Sequence, residues 1–178
     1  MTKQMKLALG VAAGVVLLFC SSFVFFFTRM EKSAASAFLT NSKVGKPLPR
    51  ADLVDLRGNP LADDNLRTGR VMLVFVSLEC NACQKETQFL KTVAGKRDDI
   101  RYYGIASMGS KKPDEGAEKD FPFKLYYDKG MRLATSLGIN KIPVKVFVED
   151  GFIKKAWGGA SSEEDTRLAF VQWLSDLK

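Results

Sequence analysis

The sequence contains no histidine, and only three of its 178 residues are cysteine. A structural zinc site usually takes four cysteine or histidine ligands. Cys80 and Cys83 lie three positions apart, but the remaining cysteine, Cys20, belongs to an apolar run far upstream. The composition therefore argues against a zinc site at the pair.

The chain also lacks a block of basic residues, although its formal net charge is +7. Lysine and arginine are spread along the sequence, and no basic segment is interleaved with aromatic residues. Since nucleic-acid-binding surfaces depend on such clusters, we expect no nucleic acid among the partners. The net positive charge favours contact with anionic lipid or with an acidic protein instead. Repeats and low-complexity tracts are lacking too, and 46% hydrophobic and 26% charged residues are typical of a globular chain.

One stretch lacks charge altogether, and it lies near the N-terminus. Residues 7–27 are uncharged, and a helix of that length rises about 30 Å, the thickness of a bilayer core. Lys3 and Lys6 precede the stretch, while Arg29 and Lys32 follow it. The amino terminus adds positive charge to the first flank. We therefore predict a membrane-spanning helix with its N-terminus in the cytoplasm and the later residues in the periplasm or outside the cell.

Two cleaved signals are alternatives for this segment. A signal peptide usually has a shorter apolar region with small residues close behind it, but here the small residues 33–37 come after charged ones. A lipoprotein signal needs a small residue before its cysteine, whereas Phe19 precedes Cys20. We therefore predict an uncleaved anchor over residues 1–28 and a juxtamembrane linker over residues 29–43. Cys20 would then lie in lipid without a redox role.

The remaining residues, 44–178, alternate between strand-like and helix-like patterns. An apolar, β-branched run is typical of a strand buried on both faces, and capping and glycine signals mark the helices. The charged stretch 107–120 is predicted to be an exposed loop with at most one helical turn. This order predicts an α/β domain with a central mixed sheet flanked by helices on both faces. Strands are predicted at 70–77, 100–107 and 123–128, as a hairpin over 143–159, and as two short strands around a turn at 57–60; helices are predicted at 81–93, 129–139 and about 161–177.

The cysteine pair lies where the strand at 70–77 gives way to the helix at 81–93. Unpaired N–H groups and the helix dipole stabilise a thiolate at a helix N-terminus, which makes Cys80 an attacking nucleophile. Cys83 is about one helical turn further on, close enough for a short disulfide. The spacing favours a redox pair in which Cys80 attacks a partner disulfide and Cys83 resolves the mixed disulfide.

Three other interpretations of the pair remain open at this point. A structural disulfide would close so short a loop that it would stabilise the fold little. A soft metal ion could bind the two thiolates, or the spacing could be a relic without redox use. If the anchor prediction is right, the pair lies outside the cytoplasm, where thiols become disulfides unless they are kept reduced.

Long parts of the sequence resemble a known family. The segment "VGKPLPRADLVDLRGNPLADDNLRTGRVMLVFVSLECNAC" is similar to the opening of membrane-anchored thioredoxin-like redoxins of the TlpA/ResA type. Within it, "FVSLECNACQKE" is also similar to the accessory redoxin of methylamine dehydrogenase maturation, MauD. Later, "YYDKGMRLATSLGINKIPVKVFVEDGFIKKAWGG" resembles the second half of the same redoxins. The resemblance implies a thioredoxin fold over residues 44–178 and a thiol–disulfide oxidoreductase.

The resemblance also implies roles for single residues and partners. Ile142 and Pro143 match the family's cis-proline site, which faces the active cysteines, and the Ile142 backbone would bind an extended partner segment. The partner would be a protein with reactive cysteines, reduced during its maturation, with cytochrome c biogenesis and metalloenzyme assembly as settings. A membrane electron donor is expected. No dissociable cofactor is needed, because the two cysteines carry the electrons.

The sequence departs from the family pattern near the pair. Leu78 and Glu79 stand where an aromatic and a small residue usually precede the first cysteine. Val74 stands six residues before Cys80, where thioredoxins have a buried acid. The group that takes the Cys83 proton is therefore not identified from the sequence. We interpret Glu79 as a solvated charge.

Three other functions remain alternatives. Copper-handling relatives use CxxxC with a distant histidine, and this chain has tighter spacing and no histidine. Peroxiredoxin-like peroxidases carry proline and threonine before the cysteine; Ser77 could replace the threonine, but Leu73 occupies the proline position. A redox-inert adaptor would use the fold for binding alone.

Overall fold

The computed structural model describes residues 43–107, 113–160 and 164–177, without the side chains of residues 115, 118, 120 and 164–166. Strands and α-helices alternate along these ranges, joined in places by short 3-10 helices at Ala94–Lys96, Glu115–Asp120 and Lys129–Met131. In chain order the elements are β1 (Leu53–Asp55), α1 (Asp64–Arg67), β2 (Arg70–Val76), α2 (Asn81–Val93), β3 (Ile100–Ala106), β4 (Leu125–Asp128), α3 (Arg132–Leu137), β5 (Val144–Glu149), β6 (Phe152–Gly158) and α4 (Glu164–Asp176).

The strands form a mixed sheet in the order β1-β4-β3-β2-β5-β6. β2 and β4 each pair with β3 in parallel, whereas β1, β5 and β6 join their neighbours antiparallel. β2 lies inside the sheet, and Val71 through Val76 are fully buried. That is why this strand is apolar at every position from Val71 to Val76 instead of alternating.

Helices cover both faces of the sheet, so the predicted mixed α/β arrangement is confirmed. On one face, Leu66 of α1 and Leu133 of α3 pack into a cluster with the inward side chains of β2 and β5. On the other face, Leu90 of α2 and Phe170 of α4 pack against the alternate residues of the same strands. The second face also contains Cys83, so the candidate site lies over the layer formed by α2 and α4.

The predicted pair of short strands around residues 57–60 is only partly right. β1 is present, but its expected partner is reduced to a single bridge between Val54 and Pro60. Pro60 has no N–H to continue a ladder. The Asp55 carboxylate accepts the backbone N–H of Asn59 at 2.8 Å and closes the turn. The chain then forms the one-turn helix α1 instead of a strand.

Several predictions concern residues outside the described ranges. The membrane-spanning helix, the linker and Cys20 all lie in residues 1–42, and they stay predictions. Within the described ranges, every helix is too short or too polar to cross a bilayer. The charged stretch 107–120 contains the 3-10 helix Glu115–Asp120, and its residues 108–112 are outside the description, as are residues 161–163 before α4.

Candidate active site

The short connection between β2 and α2 brings Cys80 to the start of the helix. The Cys80 backbone is extended, with φ −96° and ψ 111°, as at a helix N-cap. Its N–H donates to the Ser77 carbonyl at 3.3 Å, and its carbonyl accepts the Gln84 N–H at 3.0 Å. The carbonyl thus begins the helical hydrogen bonding while the side chain stays outside the helix.

The Cys80 sulfur takes the place of the oxygen that usually caps a helix. It accepts the backbone N–H of Cys83 at 3.2 Å. This N–H is one of those that a helix leaves unpaired at its N-terminus, and the positive end of the helix dipole lies there too. The first turn of α2 contains no acidic residue. The Cys80 sulfur therefore lies at the end of α2 where backbone N–H donors are left unpaired.

The two cysteines differ in exposure, as expected where a helix-opening cysteine projects from the strand end and the next one turns inward. Cys80 is half-buried, whereas Cys83 is 1% exposed, and both thiols are free. Burial raises the pKa of the Cys83 thiol to about 12. Its hydrogen bond with Cys80 and the charge of the Glu86 carboxylate also raise the pKa, whereas a hydrogen bond with the Ser77 backbone lowers it. The pair therefore combines an accessible sulfur with one that holds its proton.

A buried ion pair lies behind the cysteines. Glu86 follows Cys83 by one helical turn, and its carboxylate contacts the ammonium of Lys145 on β5. Both side chains are almost completely buried. Burial lowers the pKa of the Lys145 ammonium, and the Glu86 carboxylate acts in the opposite direction. Removing one member of such a pair is strongly destabilising, because the charge left behind has no partner in a low-dielectric interior.

Two features of the sequence mark this pair. Cys83, Glu86 and Leu90 share the buried stripe of α2, and Lys145 is the charged residue within the apolar run Val144–Val148. Val74, at the position of the thioredoxin acid, pairs with Lys145 across the sheet. The charged groups are therefore present in this part of the core, but the carboxylate comes from the helix instead of the strand.

The Ile142–Pro143 peptide bond is cis, in agreement with the resemblance. β5 begins at the next residue, Val144, which pairs with Phe75 of β2. Continuing this antiparallel register places the Ile142–Pro143 segment beside the last residues before the Cys80 turn.

Further contacts fix this segment in place. The Pro143 carbonyl accepts the Gly159 N–H at 2.8 Å, which ties the start of β5 to the end of β6. Ile142 and Cys80 both pack, partly buried, against the cluster on the α2 and α4 face. The structure thus brings all four predicted site residues to one end of the sheet, while their roles stay predictions.

Glu79 lies outside this constellation. Its side chain is exposed, which agrees with the interpretation of a solvated charge. Its N–H donates to the Ser77 hydroxyl at 3.3 Å. The residue helps to shape the β2–α2 turn and carries its carboxylate in solvent.

The comparisons with known proteins agree with this fold. No protein-family model matches the sequence, and no curated protein matches it significantly. A candidate thiol:disulfide interchange protein DsbE from Chlorobium tepidum matches with a TM-score of 0.64 at 16% identity, over 76% of this chain and 98% of its own. A candidate protein disulfide isomerase from Bacteroides thetaiotaomicron matches with a TM-score of 0.61 at 20% identity, over 78% and 91%.

A third solved structure is a secreted Mycobacterium tuberculosis disulfide oxidoreductase described as homologous to E. coli DsbE. It matches with a TM-score of 0.56 at 21% identity, over 70% of this chain and 93% of its own. Identities this low show a shared architecture. The chain therefore has a thioredoxin-like fold, while its similarity to the MauD redoxin stays a prediction.

We predict that Cys83 keeps its proton far into the alkaline range. Its pKa is raised to about 12, whereas a cysteine in an unfolded chain ionises near about 8.5. Between these values the folded state binds more protons, so the free energy of unfolding falls as the pH rises through that interval. The Cys83 13Cβ shift in the reduced protein, followed by NMR, measures the ionisation. A Cys83→Ser control should lack this alkaline loss, and a Cys83 signal that titrates below pH 9 would contradict the prediction.

Proposed function

We propose that this protein is a membrane-anchored, extracytoplasmic thiol–disulfide oxidoreductase that reduces disulfides of partner proteins during their maturation. One observation carries the proposal. The half-buried Cys80 sulfur caps α2 through the Cys83 N–H, directly beside a buried second thiol that keeps its proton. A sulfur that attacks and a sulfur that resolves need these two environments. The neighbours' names, which include oxidoreductase and interchange protein, support the same chemistry.

The first step is attack by the Cys80 thiolate on one sulfur of the partner's disulfide. A bond forms between Cys80 and that sulfur, and the partner's second sulfur leaves as a thiolate, which takes a proton from solvent. The helix N-terminus stabilises the attacking thiolate without closing its access, because Cys80 remains half-buried.

The second step needs the Cys83 proton to leave. The Cys83 thiolate attacks the Cys80 sulfur and the Cys80–partner bond breaks. The partner's sulfur leaves as a thiolate that takes a proton from solvent, so the partner departs as a dithiol. Glu86 lies near enough to raise the Cys83 pKa by its charge. We assign it the role of proton acceptor, with Lys145 holding its carboxylate in place and limiting the charge that builds up in the core.

The docking edge in this proposal is the Ile142–Pro143 segment. It continues β5 past its pairing with β2, at the end of the sheet where Cys80 lies. An extended partner segment would add to this edge by backbone hydrogen bonds to Ile142. Pro143 contributes no N–H, so no backbone donor at that position competes for the sulfurs.

The direction of transfer is proposed to be reduction, with electrons from a donor in the membrane. Asn81 and Ala82 between the cysteines carry no positive charge. In strongly oxidising pairs, the surroundings stabilise the thiolate of the reduced form unusually strongly. The exposed Glu79 carboxylate next to Cys80 would instead destabilise such a thiolate. Haem attachment to cytochromes and assembly of a metalloenzyme are the maturation settings that the resemblance suggests.

Cysteine substitutions should separate the two steps. We predict that Cys83→Ser accumulates mixed disulfides with partner proteins, because Cys80 can attack but nothing resolves the product. Cys80→Ser should accumulate few, because the buried Cys83 keeps its proton. Pro143→Thr should lengthen the lifetime of the complexes without abolishing attack. Non-reducing gels of cell extracts measure all three, with Cys20→Ser as the matched control outside the pair.

The reverse pattern, with trapping by Cys80→Ser and none by Cys83→Ser, would contradict the assigned roles. Trapping by neither variant would favour a redox-inert adaptor. Identification of the trapped proteins by mass spectrometry names the partners.

The role of Glu86 has its own test. Glu86→Gln alone would leave the Lys145 charge buried without its carboxylate, at a cost of about 3–5 kcal/mol. The double variant Glu86→Gln with Lys145→Met removes both charges at similar volume and should fold. We expect it to form mixed disulfides at the wild-type rate but to resolve them at least about tenfold more slowly. Rapid-quench kinetics with a disulfide peptide measure both steps, and resolution at the wild-type rate would exclude Glu86 as the acceptor.

The reduction potential tests the proposed direction. We expect a reducing couple with a potential near about −270 mV, not the roughly −120 mV of a strong oxidant. Equilibration in glutathione buffers, followed by thiol alkylation and mass spectrometry, gives the value. A potential at the oxidising end would contradict the reductase assignment while leaving disulfide exchange intact.

The membrane topology is proposed from the uncharged run at residues 7–27 and its flanks. Alkaline phosphatase folds and works only outside the bacterial cytoplasm. We expect a fusion after Lys178 to be active, since the domain would lie outside. A fusion that is inactive there, with an active cytoplasmic reporter at the same position, would refute the topology.

A further inference from the structure

Two exposed apolar side chains are neighbours at the outer edge of β6. In the described ranges three large apolar side chains are exposed, and two of them are Val44 and Phe152, at 40% and 47%. Gly45, which follows Val44, donates its N–H to the carbonyl of Ile153, which follows Phe152, at 2.7 Å. Single exposed apolar residues are ordinary on protein surfaces, whereas adjacent ones mark a candidate contact surface.

Three lysines surround this apolar pair. Lys43 and Lys46 lie on either side of Val44 in the sequence, and Lys154 lies two residues after Phe152 on β6. Lys46 and Lys154 are exposed, and none of the three lysines forms an ion pair with a described residue. Residues 33–42, which precede them, carry no charge. We call Lys43, Val44, Lys46, Phe152 and Lys154 the edge patch.

The carboxylates beside the edge patch do not cancel its charge. Glu149, the last residue of β5, pairs with Arg70 at 2.9 Å. Asp150 in the β5–β6 turn accepts the Gly69 N–H at 2.9 Å and keeps its charge in an exposed position. Even with the Asp150 charge counted, the three lysines leave this edge of the sheet positive.

The edge patch is also the place where the chain enters the domain from the predicted membrane anchor. The predicted linker, residues 29–43, is all that separates the anchor from Val44. Anionic headgroups attract lysines near a bilayer surface, and exposed phenylalanine and aliphatic side chains enter the boundary between headgroups and acyl chains. The course of the chain therefore brings the edge patch close to a surface of complementary charge and polarity.

We propose that the edge patch rests on the anionic bilayer surface at which the predicted anchor ends. Its lysines would contact lipid phosphates, while Val44 and Phe152 enter the headgroup boundary. The inference rests on the membrane-anchored topology in the proposed function, and it adds a second membrane contact to the anchor.

Contact through the edge patch leaves the active-site end of the sheet uncovered. Phe152 pairs with Glu149 at one end of β5, and the other end of β5, at Val144, pairs with Phe75 just before the Cys80 turn. At about 3.3 Å per residue, β6 sets the edge patch about 20 Å from that end. Protein partners would therefore meet Cys80 from the aqueous side while the domain stays on the membrane.

Photolabelling from the lipid tests this contact. The full-length protein is inserted into nanodiscs of phosphatidylcholine, with or without phosphatidylglycerol, that contain a lipid with a diazirine near its headgroup. Peptide mapping after illumination compares the label at the edge patch with the label in residues 7–27. We expect the edge patch to take up at least about fivefold more label in the anionic discs. Equal labelling in the two lipids, or a labelled anchor with an unlabelled edge patch, would overturn the proposal.

Substitutions with matched controls test the residues of the edge patch. Lys46→Glu and Phe152→Ser should each lower the label at Val44 in anionic discs at least about threefold. Lys91→Glu makes the same charge change at an exposed position on α2, and Leu168→Ser removes an apolar side chain that is 60% exposed on α4. Both controls should leave the label at Val44 unchanged. An equal loss in the controls would mean a general effect of charge or polarity and would overturn the proposal.

Insulin reduction separates this proposal from the proposed function. Lys46→Glu and Phe152→Ser should reduce insulin at the wild-type rate, because Cys80 lies at the other end of the sheet. A parallel loss of insulin reduction would assign the edge patch to the protein-partner surface and would overturn the membrane contact. Normal lipid labelling in a wild-type protein that cannot reduce insulin would contradict the proposed function alone. An anchor that takes up no label would contradict the topology and this proposal together.

Discussion

The contact between the Cys83 N–H and the Cys80 sulfur, at 3.2 Å, determines how the rest of this site is arranged. It requires β2 to end and α2 to begin within a few residues, so that the first sulfur caps the helix and the second turns into the core. The buried run Val71–Val76 of β2 makes the position rigid, because the strand is enclosed by neighbours on both edges and by helices on both faces. The position of β2 thereby gives two cysteine side chains different chemical environments.

The interior beneath the cysteines is organised by charge as well as by packing. A buried carboxylate alone would be costly, and it would hold the Cys83 proton even more tightly. The Lys145 ammonium offsets that charge, and the surrounding aromatic residues of α4 and β6 keep water away: the Phe170 ring lies 5.2 Å from the Lys145 nitrogen. The ion pair therefore lets Glu86 remain in the core, one turn from the thiol whose proton must move.

Sequence patterns were sufficient for features that depend on neighbouring residues. The apolar run predicted β2, the helix signals predicted α2, and their junction predicted that the cysteine pair opens the helix. Features that depend on strand register were missed: Lys145 meets Glu86 only because β5 pairs with β2 so that Lys145 lies opposite Val74. Apolar patterning predicts a strand where the structure has only the bridge at Pro60, because it does not register the hydrogen bond by which the Asp55 carboxylate closes that turn.

In the proposed exchange, protein partners meet the half-buried Cys80 at the cis-proline edge, while Cys83 stays enclosed in the core until it resolves the mixed disulfide. The whole cycle depends on this asymmetry between the two sulfurs. Brief treatment of the reduced, folded protein with iodoacetamide at pH 7, followed by peptide mapping, tests that asymmetry most directly. The account predicts carbamidomethylation of Cys80 alone, with Cys83 reacting only after denaturation; equal modification of both, or faster modification of Cys83, would contradict it.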